Sequence, residues 1–89
     1  MYFENIGNKG LKFLSKIKFK ELKVLDLGFN NISDIKVLEN VKFEKWEILY
    51  LYENNISDIN ILEKVNFKEL RELYLYNNDI SDINILEKV

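Results

Sequence analysis

The chain has 89 residues, 47% apolar and 31% charged, which suits one folded domain and excludes both a two-domain enzyme and the low-hydrophobicity composition of a disordered chain. Lys and Arg number 13 against 15 Asp and Glu, a net charge of -2 with the signs well mixed, so no global field draws nucleic acid or anionic lipid. Cys and His are absent, which removes disulfides, thiolate nucleophiles, the usual zinc ligands and the commonest general base.

The opening stretch, Met1 to Asn8, has no basic segment leading into an apolar one, so it does not read as a secretory signal. No apolar run reaches the roughly 18 residues that would cross a bilayer. A soluble cytoplasmic protein without a membrane partner is expected. Leu11, Leu14 and Ile17 fall in phase with Ile35, Leu38 and Val41 downstream, and Met1 and Phe3 with Leu25 and Leu27. Residues 1–18 therefore read as a degenerate opening repeat, with Ile6 where the later copies carry Asn.

Three copies of a 24-residue unit follow without gaps, at 19–42, 43–66 and 67–89, and the second and third are identical at 16 of 23 positions. In each, apolar and polar residues first alternate, as in Leu25-Asp26-Leu27, which predicts a short strand with one buried face. The apolar spacing then widens to three (Ile35, Leu38, Val41), which suits a short helix or successive tight turns, with Ser33 or Asp34 at its start. Units with one buried face close a core only by stacking. The predicted fold class is α/β: a single domain over 1–89, an arc-shaped solenoid with a short parallel sheet on one side and short helical segments on the other.

The spacing in Leu25-Asp26-Leu27-Gly28-Phe29-Asn30-Asn31-Ile32 and Leu73-Tyr74-Leu75-Tyr76-Asn77-Asn78-Asp79-Ile80 resembles the leucine-rich repeat family. The following Ser-Asp-Ile-x-x-Leu segment is most similar to the short repeats of bacterial internalins and of the eukaryotic phosphatase-regulator type. Trp46 at a Leu position and a slightly long repeat depart from that pattern. The resemblance implies a sheet on the concave side, helical segments on the convex side and a role in binding, of which regulation of an enzyme such as a phosphatase is a special case.

Asn30, Asn54 and Asn78 read as structural, their amides bonding backbone groups where each strand turns away. Phe19, Phe43 and Phe67 recur at one phase and are expected to stack as an inner spine, and Trp46 to join the core. Residues 24 apart lie on neighbouring coils. Lys20/Glu44/Lys68, Glu21/Lys45/Glu69 and Lys23/Glu47/Arg71 alternate in sign, which disfavours slipped stacking. Asp34, Asp58 and Asp82 repeat one sign, as helix caps rather than as a cation site, because a row of separated carboxylates does not converge on one point.

Chemistry is sparse. Ser33, Ser57 and Ser81 recur once per coil beside an Asp, which marks them as architecture, and Gly7, Gly10 and Gly28 form no phosphate-binding spacing. No catalytic, metal or cofactor-binding residue is predicted and no cofactor is implied. The informative positions lie between the inward Leu residues, on the solvent side of the sheet: Val24, Asp26 and Phe29, with Gly28 facing out beside them but offering no side chain, then Ile48, Tyr50, Tyr52 and Glu53, then Glu72, Tyr74, Tyr76 and Asn77. Four of the five Tyr residues stand there. Tyrosine offers large rigid contact area and little rotamer entropy to lose. These eleven residues are the predicted protein-binding face, for a protein partner of unknown identity whose basic groups meet the carboxylates. Cross-strand stacking of the tyrosines is the competing structural role. The alternative is a self-associating solenoid or a piece of a longer repeat protein. The chain stops at Val89 without a polar cap, so Leu73, Leu75, Ile80, Ile83 and Leu86 are expected to be partly uncovered and to join a homo-oligomer through the C-terminal coil.

Overall fold

The computed structural model describes residues 2–17, 21–41, 45–64 and 70–81. An α-helix, α1 (Gly7–Leu14), precedes strand β1 (Val24–Asp26), a 3-10 helix (Lys36–Asn40), strand β2 (Ile48–Tyr50), a second 3-10 helix (Asn60–Glu63) and strand β3 (Glu72–Tyr74). The strands form one parallel sheet in the order β1-β2-β3. Val24 pairs with Ile48 and Ile48 with Glu72, so neighbours across the sheet are 24 residues apart. Tyr2 adds an isolated parallel bridge to Asp26 at the free side of β1.

Alternation turns Leu25 and Leu49 inward at the centre of their strands, and Leu27 and Leu51 follow on the same side; all four are at most 1% exposed. Ile32, Ile35, Leu38, Ile56, Ile59 and Leu62 close the other side of the core. Each such side chain contributes about 1.5–3 kcal/mol on full burial. Trp46 is buried with them, and Leu11 and Leu14 of α1 seal the N-terminal side. Leu73, Leu75 and Ile80 are half-buried; Ile83 and Leu86 lie outside the described residues, as do the Phe19, Phe43 and Phe67 of the expected spine.

The segment leaving each strand is held by the repeated asparagine. Asn54 Oδ1 accepts the Asn30 and Ile32 amides at 2.9 and 3.0 Å, while its Nδ2 donates to the Leu27 and Leu51 carbonyls, both at 2.9 Å. Asn30 accepts the Ile6 amide and donates to Phe3 and Gly28, and Asn78 accepts the Ile56 amide and donates to Leu51 and Leu75. One buried amide thus satisfies the backbone of its own repeat and of the one before it.

After β1 and after β2 the chain tightens into 3-10 helix rather than α-helix. Asp34 Oδ1 accepts the Lys36 amide and Asp58 Oδ1 the Asn60 amide, each at 2.9 Å, so both aspartates cap these starts. Asp82 lies outside the described residues. Two rungs of the charge ladders are formed, Lys45 to Glu21 at 3.2 Å and Arg71 to Glu47 at 3.0 Å; Lys20, Glu44, Lys68 and Glu69 are outside the described residues.

Candidate interaction face

The face of the sheet opposite the core carries side chains in rows, one residue per repeat. Val24, Ile48 and Glu72 form the first row; Tyr2, Asp26, Tyr50 and Tyr74 the second; Gly28, Tyr52 and Tyr76 the third; Phe29, Glu53 and Asn77 the fourth. The pairing of Tyr2 with Asp26, and of Val24, Leu25 and Asp26 with their counterparts, sets the first two rows. Hydrogen bonds past the strand ends set the others: the Phe29 amide donates to the Tyr52 carbonyl at 3.2 Å and the Glu53 amide to the Tyr76 carbonyl at 3.0 Å. All eleven residues predicted from the sequence therefore lie on one continuous surface.

The rings are in mutual contact. Tyr50 stacks on Tyr74 with centroids 4.7 Å apart and planes 11° from parallel, and Tyr52 on Tyr76 at 5.0 Å and 7°. Tyr50 meets Tyr52 edge-on at 6.0 Å, and Phe29 meets Tyr52 edge-on at 5.6 Å. Such pairs add about 0.5–1.5 kcal/mol each beyond their buried area, so the structural role and a presented aromatic surface coexist. The inner rings are half-buried by their neighbours, while Phe29 and Tyr76 remain 60% and 56% exposed.

Gly28 makes room for this arrangement. A Cβ there would lie 2.6 Å from Tyr52 Cε2 and 2.8 Å from Cε1, inside the ring's contact distance, so the ring lies over bare backbone. Asp26 Oδ1 holds that turn by accepting the Gly28 amide at 3.0 Å. The fourth row has a second peculiarity: Phe29, Glu53 and Asn77 all adopt left-handed backbone, with φ of 58, 54 and 57°, as does Asn5 at 52°. Asn tolerates this region; a Phe or Glu there is uncommon.

Hydrogen bonds fix the polar groups among the rings. Tyr74 Oη donates to Glu72 Oε1 at 2.6 Å, and Asn77 Nδ2 donates to Glu53 Oε1. The Glu72 bond and charge raise the Tyr74 pKa above its ordinary 10.0. Partial desolvation, then the Asp26 charge, raises that of Tyr52, and desolvation with Glu4 raises that of Tyr2. The face is thus a set of neutral hydroxyls beside carboxylates, with no Lys or Arg in any of its four rows.

Tyr2 and Gly28 were not among the eleven. Tyr2 was recoverable from the sequence, since 2, 26, 50 and 74 share one phase. The demand for glycine at 28 had no signal short of knowing where the Tyr52 ring lies.

Repeats paired at 24 residues and knit by a buried Asn ladder invite comparison with known repeat families. A family model described as Leucine Rich repeats (2 copies) matches residues 47–88, and one described as Leucine Rich Repeat matches residues 21–41. The chain belongs to the leucine-rich repeat family. No curated protein matches it. Leucine-rich repeat domains are generally protein-interaction modules and typically not enzymes. Among the described residues of this leucine-rich repeat protein, Ser33 Oγ accepts the Asn8 amide at 2.9 Å and Asp34 caps a helix, an architectural use of the recurring Ser-Asp pair. No described helix is long and apolar enough to cross a membrane.

Proposed function

We propose that this protein is a protein-binding module whose contact surface is the four-row face, formed by Val24, Asp26, Phe29, Ile48, Tyr50, Tyr52, Glu53, Glu72, Tyr74, Tyr76 and Asn77, and that its partner presents basic groups. The chain reads as one leucine-rich repeat domain in which an opening repeat (1–18) and three further repeats (19–42, 43–66, 67–89) stack as a solenoid with this face on the concave side. The 24-residue register of the sheet supports that stacking.

One observation carries the functional reading: five aromatic rings in unbroken contact share a face with Asp26, Glu53 and Glu72 and with no cation. Rings that already hold one another lose little freedom on binding. An apolar and aromatic strip rimmed by charge of a single sign is an interaction surface.

Selection of random peptides displayed on phage against the immobilised protein tests this. Recovered peptides are expected to be rich in Arg, Lys and aromatic residues, to weaken with added salt, and to lose binding to a Tyr50→Ser/Tyr52→Ser/Tyr74→Ser/Tyr76→Ser variant that still unfolds cooperatively. Peptides that bind this variant as well as the parent protein would sink the proposal.

A further inference from the structure

We infer that the corner of the face made by Phe29, Tyr52, Glu53, Tyr76 and Asn77 is a subsite for one arginine side chain of the partner. The inference rests on the binding role proposed above and narrows it to a single anchor.

Three observations converge there. The first is exposure: with Tyr2, Phe29 and Tyr76 are the most open rings of the sheet face, and these two contact the Tyr52 ring between them, Phe29 by its edge and Tyr76 by stacking. The second is a held carboxylate. Glu53 stands between Phe29 and Asn77 in its row, and the Asn77 amide fixes one of its oxygens. Among the described residues the ion pairs are Lys45–Glu21 and Arg71–Glu47, and Glu53 meets no cation among them.

The third is where the sequence places a Phe. The equivalent positions 5 and 77 carry Asn, which accepts left-handed backbone readily, yet position 29 carries a bulky aromatic at φ 58° with most of its surface in water. The backbone does not gain from that choice; the edge-on contact with Tyr52 does, and it leaves most of the ring open to a contact made from outside.

Charge and shape together select the guanidinium. It is planar, so it stacks on an aromatic ring while its edge forks onto a carboxylate. A lysine ammonium is a strongly hydrated point charge that cannot do both.

The test uses the full chain and three capped peptides that differ at one central residue, arginine, lysine or the uncharged citrulline, in a serine-glycine context, followed by amide chemical shifts in NMR. The arginine peptide is expected to shift Gly28, Phe29, Glu53 and Asn77 saturably, about fivefold or more tighter than the lysine peptide, with citrulline inert. Glu53→Gln and Phe29→Asn are each expected to weaken it about tenfold. Phe29→Asn should leave thermal stability close to that of the parent, because relief of the left-handed backbone offsets the lost edge-on pair with Tyr52, which separates loss of contact from loss of fold. Glu39→Gln, an exposed charge on the first 3-10 helix and outside the four rows, should change the affinity less than about twofold.

Shifts centred on Ile48, Tyr50 and Tyr74 that respond to Glu72→Gln and not to Glu53→Gln would overturn the subsite and leave the face as the binding surface. Equal affinity for arginine and lysine would overturn the selectivity. An arginine peptide that moves no residue of the four rows would remove the subsite; if the phage-selected peptides also bound the four-serine variant as well as the parent, the reading of the face would fall with it.

Discussion

At the scale of single residues, the fold depends most on Asn54. Its amide serves five backbone groups, at Asn30, Ile32, Leu27, Leu51 and Tyr52, and Ala there strands several of them in a site only 5% exposed. Each buried group left unpaired costs about 1–3 kcal/mol, so Asn54→Ala should lose about 3 kcal/mol or more by urea denaturation. Asn78, half-buried, should lose clearly less on the same change, and equal losses would contradict this ordering. Tyr74 offers a different test. Its hydroxyl donates to Glu72 and its pKa is raised in the fold, so this stabilisation is complete below the ordinary tyrosine value near 10.0 and is lost as pH rises through the higher folded value. Glu72→Gln should shift one tyrosine to lower pH in an ultraviolet titration and soften the alkaline loss of stability; an unchanged titration curve would show that Glu72 does not set it. Gly28→Ala should push the Tyr52 ring aside. Because the ring is the far end of a mobile side chain, the stability loss should stay near the 0.5–1.5 kcal/mol of a lost aromatic pair, roughly, while the tyrosine near-ultraviolet circular dichroism falls sharply.

At the scale of elements, the strands and their register were legible because period-two alternation recurs every 24 residues: Leu25, Leu49 and Leu73 allow one in-register sheet, and a slip by one residue would turn every Leu outward. The inward Asn was legible as structural for a similar reason, since a polar residue repeated within an apolar run must be satisfied by backbone. The elements between the strands were less so. Spacings of three in Ile35-Leu38-Val41 fit helix or turn equally, and the chain resolves this as 3-10 helix, whereas Leu11 and Leu14 at the same phase sit on an α-helix that starts at Gly7, a residue at φ 61°. Also invisible in the sequence were the left-handed backbone of Phe29 and the close approach of the Tyr52 ring to Gly28, because both depend on how one repeat leans on the next. The charge ladders were legible as pairs but not as energies. Arg71 and Glu47 meet at 3.0 Å with the arginine 71% exposed, so a double-mutant cycle with Ala should give a coupling of about 0.2–1 kcal/mol that fades in salt. A larger, salt-insensitive coupling would mean the pair does more than guard register.

At the scale of the whole molecule, the repeats have no separate cores. Leu11 and Leu14 of α1, the inward residues of β1 and β2, and both 3-10 helices belong to one apolar cluster. The amide connections that cross between repeats are buried or half-buried: Asn30 reaches back to Phe3 and Ile6, Asn54 to Leu27 and Ile32, and Asn78 to Leu51 and Ile56. In a stacked repeat protein stability is the sum of each unit's own term and its interface terms, and here the interface terms are the large ones, because a lone repeat would expose both the Leu face and the amide ladder. Partial unfolding by one repeat therefore breaks hydrogen bonds in its neighbour as well, and no intermediate should be populated. The single Trp46 reports on the second repeat and far-ultraviolet circular dichroism weights α1 at the other end, so the two probes sample different parts of the chain. Their urea transitions should coincide in midpoint and slope, for the parent protein and for Asn54→Ala alike. A Trp46 transition displaced from the helical one would show that the amide ladder does not couple the repeats, and would make α1 with its opening repeat an independent folding unit.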